Sequence, residues 1–517
     1  MDQAVKKSVL SWDPNKFAVR TLVARLSGMG EVTVHEKPTA LADLSPIIEA
    51  SNTAHLFKKA GPEEHEVIAA MSSSRKRLAA AFGVPEEKMR DEFLRRSATP
   101  QKPFEVPSNE APVHEVVESG DEVDLYKLPF HLQHEFDGAP YITSGIDFVK
   151  DPLTGRSNVG ARRMMLRGKN KVGINLTAPS DLREIYLGCV ERKEKLPISF
   201  AVGVHPLYTM AAGSRSLGEE INGMATLRGE PLPVVKCLTN DLLVPADAEM
   251  IFEGYLDERG YIDNEGPYGE YMGFYGPMHG DPVFHITCIT RRKNVIHQSY
   301  KHGFGLLLGE CDGAPFGNLQ TEARAWQVLK GAGINVTEVF AVGASGISHH
   351  LRVAIKKRGN ADARAAITAV LGSIANVKHV YVTDDDVDIR SHDQMEWAMS
   401  TRFQADRDII VLPNMREMPM DPSTTVRGMG AKAGFDLTFP VPRSTKVTMR
   451  VPVSAKTGGA TQFKTVKEAL TTGPMHFARL MQVLGSKDGR EIVMEIEALR
   501  DQGLLDRLED GDYYLKK

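Results

Sequence analysis

The chain has 517 residues, 42% of them hydrophobic and 25% charged, and a formal net charge of −4. That length allows two or more domains of the usual roughly 100–200 residues, and the balance is ordinary for a soluble globular protein, with no basic excess to attract nucleic acid or an anionic membrane. No apolar run approaches the roughly 20 residues a membrane span needs. The start, Met-Asp-Gln-Ala-Val-Lys-Lys, leads into a polar stretch and not a signal-peptide core. Cys189, Cys237, Cys288 and Cys311 form no CxxC pair. They read as reduced, mostly buried thiols of a cytoplasmic protein. The histidines include no HExxH and no zinc-type spacing.

Taken in order, residues 16–30 place Phe17, Val19, Leu22, Val23 and Leu26 at near-helical spacing, and residues 31–36 alternate as a strand does. Residues 63–97 read as two further helices broken at Gly83–Pro85, so residues 1–112 are predicted to form an N-terminal α/β unit ending in a Pro-rich linker over 99–112. From 113 to 316 short strand-like runs recur, at 141–150, 157–167, 198–205, 232–238, 249–255 and 283–291. Such spacing predicts a β-barrel or a curled sheet, interrupted by helices at 181–192 and 216–228. Residues 317–460 alternate: helix 320–331, strands 337–342 and 351–356, helix 361–374, strand 379–383, helix 392–402 and strand 409–412. This predicts a second α/β domain. The acidic run Asp384–Asp388 reads as a turn and helix N-cap. Residues 461–517 are mostly helical and amphipathic, in an order that faintly resembles a winged-helix element. With no basic run they are predicted to pack or cap, not to read DNA.

One stretch stands out inside the β-rich region: Asp263-Asn-Glu-Gly-Pro-Tyr-Gly-Glu-Tyr-Met-Gly-Phe-Tyr275. Gly266, Pro267 and Gly269 separate Glu265 from Glu270, so no regular helix or strand is expected to run through. The stretch reads either as a shaped loop presenting two carboxylates or as a solvated polar turn. Two carboxylates held close titrate apart, one as an acid and one as a base.

Three stretches in order resemble the UbiD family of reversible decarboxylases, which use prenylated FMN. The first runs from Ala139-Pro-Tyr-Ile-Thr-Ser-Gly through Asp151-Pro-Leu-Thr-Gly to Asn158 and Arg163. The second is Glu265-Gly-Pro-Tyr-Gly-Glu270, with Gly273-Phe-Tyr after it. The third is Val377-Lys-His-Val-Tyr-Val-Thr-Asp-Asp-Asp-Val-Asp388 with Trp397-Ala-Met-Ser-Thr-Arg402. The resemblance spans roughly residues 15–450 and implies an N-terminal α/β domain, a split β-barrel for the flavin, and a C-terminal α/β oligomerisation domain with a helical extension.

It further implies the catalytic residues Arg163, Glu265 and Glu270. Glu270 would donate the proton that replaces CO2, Arg163 would hold the substrate carboxylate, and Glu265 would hold Arg163. Removing CO2 from an sp² carbon needs an electron sink that no side chain provides, so a cofactor is required. The resemblance places that cofactor against Asn158, Gly160, Ala161, Arg162, Arg163, Asp181, Glu220 and Lys378. A divalent metal, usually Mn²⁺, and K⁺ would tie down its phosphate. Asn158 and Glu220 match the metal ligands, Glu220 standing eight residues before Arg228. The family's third ligand is a histidine about 23 residues after the Asn. Asp181 takes that place here, as an oxygen ligand or as a helix N-cap. Lys378 matches a phosphate-reaching lysine or is an exposed strand-edge lysine. Met164, Met165 and residues 302–308 are expected in the pocket wall.

The reading is a non-oxidative, reversible decarboxylase of an aromatic or α,β-unsaturated carboxylic acid, free or as an acyl-CoA such as phthaloyl-CoA. The implied oligomer is a homodimer or homohexamer, with a flavin prenyltransferase supplying the cofactor. A plain FMN oxidoreductase and a non-catalytic carboxylase subunit are the alternatives.

Overall fold

The structure is a computed structural model and describes residues 12–214, 220–302, 309–440 and 452–516. Near the N-terminus the helix Val19–Gly28 buries Val19, Leu22, Val23 and Leu26, the stripe its spacing predicts. A four-stranded sheet follows, in the order Val32–His35, Ala54–Ala60, His65–Ala69 and Ile296–Ser299. Here the prediction of two helices over 63–97 is corrected. Arg75–Phe82 and Met89–Ser97 are helices, but His65–Ala69 is a strand between two others. A short apolar run has no period of its own, and its pairing partners decide. The fourth strand, Ile296–Ser299, comes from beyond the barrel in sequence, so the first two units share a sheet. The Pro-rich linker is likewise built in, because Pro103–Glu105 pairs in parallel with Leu232–Lys236.

The middle of the chain is a closed barrel of six antiparallel strands. Their order is Met250–Leu256, Leu196–Val202, Tyr141–Lys150, Ser157–Gly168, Lys171–Ile174 and Val283–Arg291, and the last pairs back to the first. Phe200, Phe252 and Phe284 fill its interior with no exposure, each stabilising the barrel by about 1.5–3 kcal/mol. Closure needs a register shift between Glu253 and Gly254. At Gly254 a Cβ would lie 1.9 Å from the His285 carbonyl oxygen, a backbone atom that cannot turn aside. Gly254→Ala is therefore expected to lower the urea midpoint and the soluble yield, by about 1–3 kcal/mol as overpacking does. An unchanged midpoint would mean that the closing strands tolerate separation.

The C-terminal α/β domain is a five-stranded sheet ordered Val336–Ala341, His350–Ile355, His379–Asp384, Met429–Leu437 and Ile409–Arg416. The strand Met429–Leu437 lies inside the sheet although the sequence did not announce it. Its Met-Gly-Ala-Lys-Ala-Gly composition is poor in β-formers, and Gly434 is flat against Ile367, whose Cγ2 would meet an added Cβ at 2.0 Å. The acidic run does turn, as read, but it caps no helix. Ser391, not an aspartate, caps the helix His392–Arg402. Asp386 and Asp384 instead hold the buried Arg402, at 3.0 and 3.6 Å.

Residues beyond 461 form a module with its own core of Val466, Leu480, Ile492, Ile496, Leu499 and Leu505. Three helices, Val466–Leu470, Phe477–Leu484 and Arg490–Asp501, precede a hairpin of Leu505–Arg507 and Tyr513–Leu515. Helices followed by a hairpin is the winged-helix order, so the module is less purely helical than predicted. All four cysteines are buried and none is in a disulfide. Among the described residues no helix is long and apolar enough to cross a membrane.

Candidate active site

The carboxylate stretch folds as an irregular hairpin. Asp263–Glu265 pairs with His279–Asp281, and Tyr268–Gly269 with Tyr275–Gly276. As expected, no regular strand runs through from Glu265 to Glu270. Two short ladders flank a cis Gly266–Pro267 peptide, and the hairpin supplies the backbone pairing that the sequence hides. A turn then sets Glu270, whose N–H donates to the Phe274 carbonyl and whose own carbonyl accepts from Gly273, both at 2.9 Å.

The hairpin lies against the barrel strand Ser157–Gly168, which carries Arg163. The Arg163 Nε donates to Glu265 Oε1 at 2.8 Å, Nη2 to Glu265 Oε2 at 3.2 Å, and Nη1 to Glu270 Oε1 at 2.5 Å. The guanidinium also stacks 4.3 Å from the Tyr268 ring centroid. The two glutamates thus meet through one cation. Burial works against that charge, but Glu270 and Glu265 outweigh it and raise the Arg163 pKa above its ordinary value. Glu265 is fully buried, whereas the Glu270 side chain is 13% exposed.

That difference follows from position, because Glu270 borders a cavity of about 440 Å³ and Glu265 does not. The barrel lines it with Thr143, Ser144, Gly145, Ala161, Arg162, Arg163 and Asn175, and Tyr300, just after the strand Ile296–Ser299, joins them. The α/β domain closes it with Phe316, Gln320, Ile347, Asn376 and Met418. The helix Ala314–Gly331, which carries Phe316 and Gln320, is tied to the N-terminal unit through Asp312. Asp312 accepts from the Ser72 N–H at 2.6 Å, the Ser72 hydroxyl at 2.7 Å and the Lys301 N–H at 2.7 Å. His302 also faces the cavity; burial, His134 and Arg163 push its pKa down to about 4, so it is a neutral imidazole there.

The other sequence-predicted residues fall in distinct places. Ala161, Arg162 and Arg163 line the cavity. Arg162 also pairs with the fully buried Asp147 at 3.2 Å, and Gly160 packs on the same carboxylate, 2.8 Å from where its Cβ would be. Met164 and Met165 are not wall residues. Met164 packs in the barrel core, and Met165 packs with Tyr141 and Tyr268. Of the expected wall at 302–308, residues 303–308 lie outside the described residues. Lys378 Nζ donates to Asp421 at 2.6 Å and Ser423 at 2.7 Å, two residues beyond the cavity-lining Asn376.

The predicted metal ligands gather at the far end of the Ser157–Gly168 strand. Glu220 Oε2 accepts from Asn158 Nδ2 at 2.7 Å and from the Val159 N–H at 2.6 Å. Asn158 Oδ1 is buried without a hydrogen-bond partner. Asp181 and Asn158 line one further cavity of about 460 Å³. Ser180, not Asp181, is the N-cap of the helix Asp181–Arg192, its hydroxyl accepting from the Arg183 N–H at 3.3 Å, so the capping alternative for Asp181 is removed. Burial and the Asp181 charge raise the Glu220 pKa. An orphaned amide oxygen beside two carboxylates is a donor set that fits a hard divalent cation.

Sequence reasoning missed the brace under the hairpin. Gly269 N–H donates to Asp137 at 2.9 Å, the Tyr268 hydroxyl to Gln133 at 2.8 Å, and Gly138 N–H to the Pro267 carbonyl at 2.9 Å. His134 is fixed between Asp137, at 3.0 Å, and the His302 carbonyl, at 2.8 Å. The polar string Gln133-His-Glu-Phe-Asp-Gly138 was the available signal.

Residues 104–303 match the family described as the 3-octaprenyl-4-hydroxybenzoate carboxy-lyase Rift-related domain, and residues 314–437 match its C-terminal domain. The chain belongs to the UbiD family of carboxy-lyases. It is 33% identical over 426 residues to an anhydromevalonate phosphate decarboxylase of Methanosarcina mazei, covering 81% of this chain and 95% of that one. The UbiD-class enzyme HmfF of Pelotomaculum thermopropionicum, solved with FMN, superposes with a TM-score of 0.78 at 29% identity, covering 84% of this chain and 97% of that chain. An evolved dimeric form of HmfF, solved with prFMN, gives a TM-score of 0.75 at 28% identity, covering 85% and 97%. A vanillic acid decarboxylase of Sedimentibacter hydroxybenzoicus gives 0.74 at 25%, covering 88% and 98%. The barrel and α/β layout expected of a UbiD-family chain is thus the observed one.

Proposed function

We propose that this UbiD-family chain is a prenylated-FMN-dependent, non-oxidative decarboxylase of an aromatic or α,β-unsaturated acid. One observation carries the reading: a single guanidinium bridges a fully buried carboxylate and one that borders the cavity. Solved relatives that hold FMN or prFMN on the same fold support the cofactor.

When bound, the cofactor supplies the electron sink for carbon–carbon bond cleavage. The residues do the rest. Arg163 orients the substrate carboxylate by charge-assisted hydrogen bonds. Glu265, held by two of its donors, keeps the guanidinium aimed. Glu270 delivers a proton to the carbon that loses CO2, so that substrate carboxylate and proton become CO2 and the C–H product, and Glu270 is left as a carboxylate. Asn158, Glu220 and Asp181 would hold a divalent cation, Mn²⁺ in this reading, with K⁺ beside it, against the cofactor phosphate.

Phe316, Ile347, Met418 and Tyr271 give the cavity an apolar wall suited to a planar acid. Aromatic acids are the first class to screen, and aromatic acyl-CoA thioesters such as phthaloyl-CoA the second. The protein would work as a cytoplasmic homodimer or homohexamer, supplied by a flavin prenyltransferase.

The test is protein made with and without that prenyltransferase. The expected result is released prenylated FMN by mass, CO2 release from an aromatic acid, and Mn²⁺ by metal analysis. Asn158→Ala is expected to lower Mn²⁺ and flavin content together. Plain FMN with no CO2 release from any acid, while the prenyltransferase is shown to be active, would overturn the reading.

A further inference from the structure

Next to the catalytic trio, and outside the cavity lining, stands a second ionisable cluster. The hairpin register places His279 directly opposite Glu265 and Asp281 two residues on. One ligand atom from each of Glu265, His279 and Asp281 lies within 4.8 Å of the others. Asp281 is fully buried. Its Oδ1 accepts the Leu176 N–H at 3.2 Å, while its Oδ2 is buried with no hydrogen-bond partner.

Such a cluster invites a cation. Both Glu265 oxygens already accept from Arg163, at 2.8 and 3.2 Å. A divalent ion would sit against that guanidinium and compete for the same oxygens. A proton needs only the open lone pair of Asp281 Oδ2.

We infer that Asp281 is held as a neutral carboxylic acid, a positioning residue that keeps a third negative charge out of the Arg163–Glu265–Glu270 network. The consequence for catalysis rests on the reading of Arg163 as holder of the substrate carboxylate. The groups around Asp281 agree. Burial and Glu265 push its pKa up to about 8, and the Leu176 N–H, Arg163 and Arg167 do not reverse this. Arg167 is directed to the Asn264 carbonyl at 2.6 Å and to Asp263 at 3.6 Å. His279 Nδ1 stands 3.4 Å from Glu265, and the Tyr261 hydroxyl donates to the Leu176 carbonyl at 2.8 Å. With Asp281 neutral, one cation serves two carboxylates. Ionised, Asp281 competes for the field of Arg163 and sets a third negative charge against the network that orients the substrate carboxylate.

The experiment compares wild type with Asp281→Asn, a neutral near-isostere. The first readout is the thermal midpoint of cofactor-free protein from pH 4 to 9. A carboxyl whose folded pKa lies above its unfolded one stabilises fully below the unfolded value and loses that contribution as pH rises to the folded value. The wild-type midpoint relative to Asp281→Asn is therefore expected to fall steadily from about pH 4 to about pH 8 and then level. A pH-independent difference would overturn the inference. Should Asp281→Asn fail to fold, Asp281→Ser serves the same comparison. The second readout is the kcat profile, whose alkaline limb is expected to move up by at least about one pH unit in the variant. A limb that stays in place would overturn the positioning role. A rise in midpoint with Mn²⁺ that Asp281→Asn abolishes would assign the cluster to a metal and overturn the proton. The melts need neither cofactor nor substrate, so they stand whether or not the decarboxylase reading does.

Discussion

Glu270→Gln is expected to slow decarboxylation by about 10²–10⁴-fold, the range typical of a lost general acid. The glutamine keeps an oxygen to accept from Arg163 Nη1, so the guanidinium stays in place while the transferable proton is gone. Glu270 is the candidate because of position and not type. Glu265 accepts from two donors of the same guanidinium and is fully buried, whereas Glu270 accepts one and faces the cavity. The measurement is single-turnover CO2 release in D2O with the label counted at the vacated carbon. Wild-type rate and labelling in the variant would remove Glu270 from the role. Flavin content measured on the same samples separates a chemical defect from a cofactor-loading one.

Arg163→Met is expected to abolish turnover and to cost stability as well. Truncating one partner of a buried ion pair leaves an uncompensated charge and typically costs about 3–5 kcal/mol. Here the stranded group is Glu265, which has no exposure and keeps His279 at 3.4 Å but no guanidinium. The Tyr268 ring also loses the cation stacked at 4.3 Å. The double variant Arg163→Met/Glu265→Gln is expected to recover much of the stability and none of the activity, since it removes the stranded charge but not the need for a carboxylate-binding cation. Urea unfolding and CO2 release, measured together, check both halves. A single variant as stable as wild type would show that Glu265 is relieved in some other way. A catalytically active double variant would show that the substrate carboxylate is held elsewhere.

Much of the fold was legible where an element carries its own period. The helix Asp181–Arg192 occurs at the predicted bounds because Leu182, Tyr186 and Cys189 recur at helical spacing, and the strands Tyr141–Lys150 and Val283–Arg291 occur at theirs as short runs bounded by turn residues. The failures share a cause. His65–Ala69 is too short to show a period, and Met429–Leu437 is too rich in glycine and alanine to look like a strand. Each is a strand because neighbours on both sides pair with it. Gly254 and Gly434 are unremarkable letters until the closing barrel and the helix Asp362–Ser373 press against them.

The site divides the same way. Which residue types were available, two glutamates around a Gly-Pro-Tyr-Gly turn and an arginine five residues after an asparagine, could be read from the order of letters alone. So could the family, because its motifs are strings. The sequence therefore determined the chemistry on offer and the sequence of domains. Only the tertiary structure decided that both glutamates grip one guanidinium, that Glu270 and not Glu265 meets the cavity, that Ser180 frees Asp181 from capping, and that Met164 and Met165 belong to the core. It alone set His279 and Asp281 against Glu265. The reason is physical: strand register and barrel closure depend on contacts between residues about a hundred positions apart, as Arg163 and Glu265 are, and the packing they produce sets which carboxylate meets the cavity. Neither quantity is a property of a local stretch of chain.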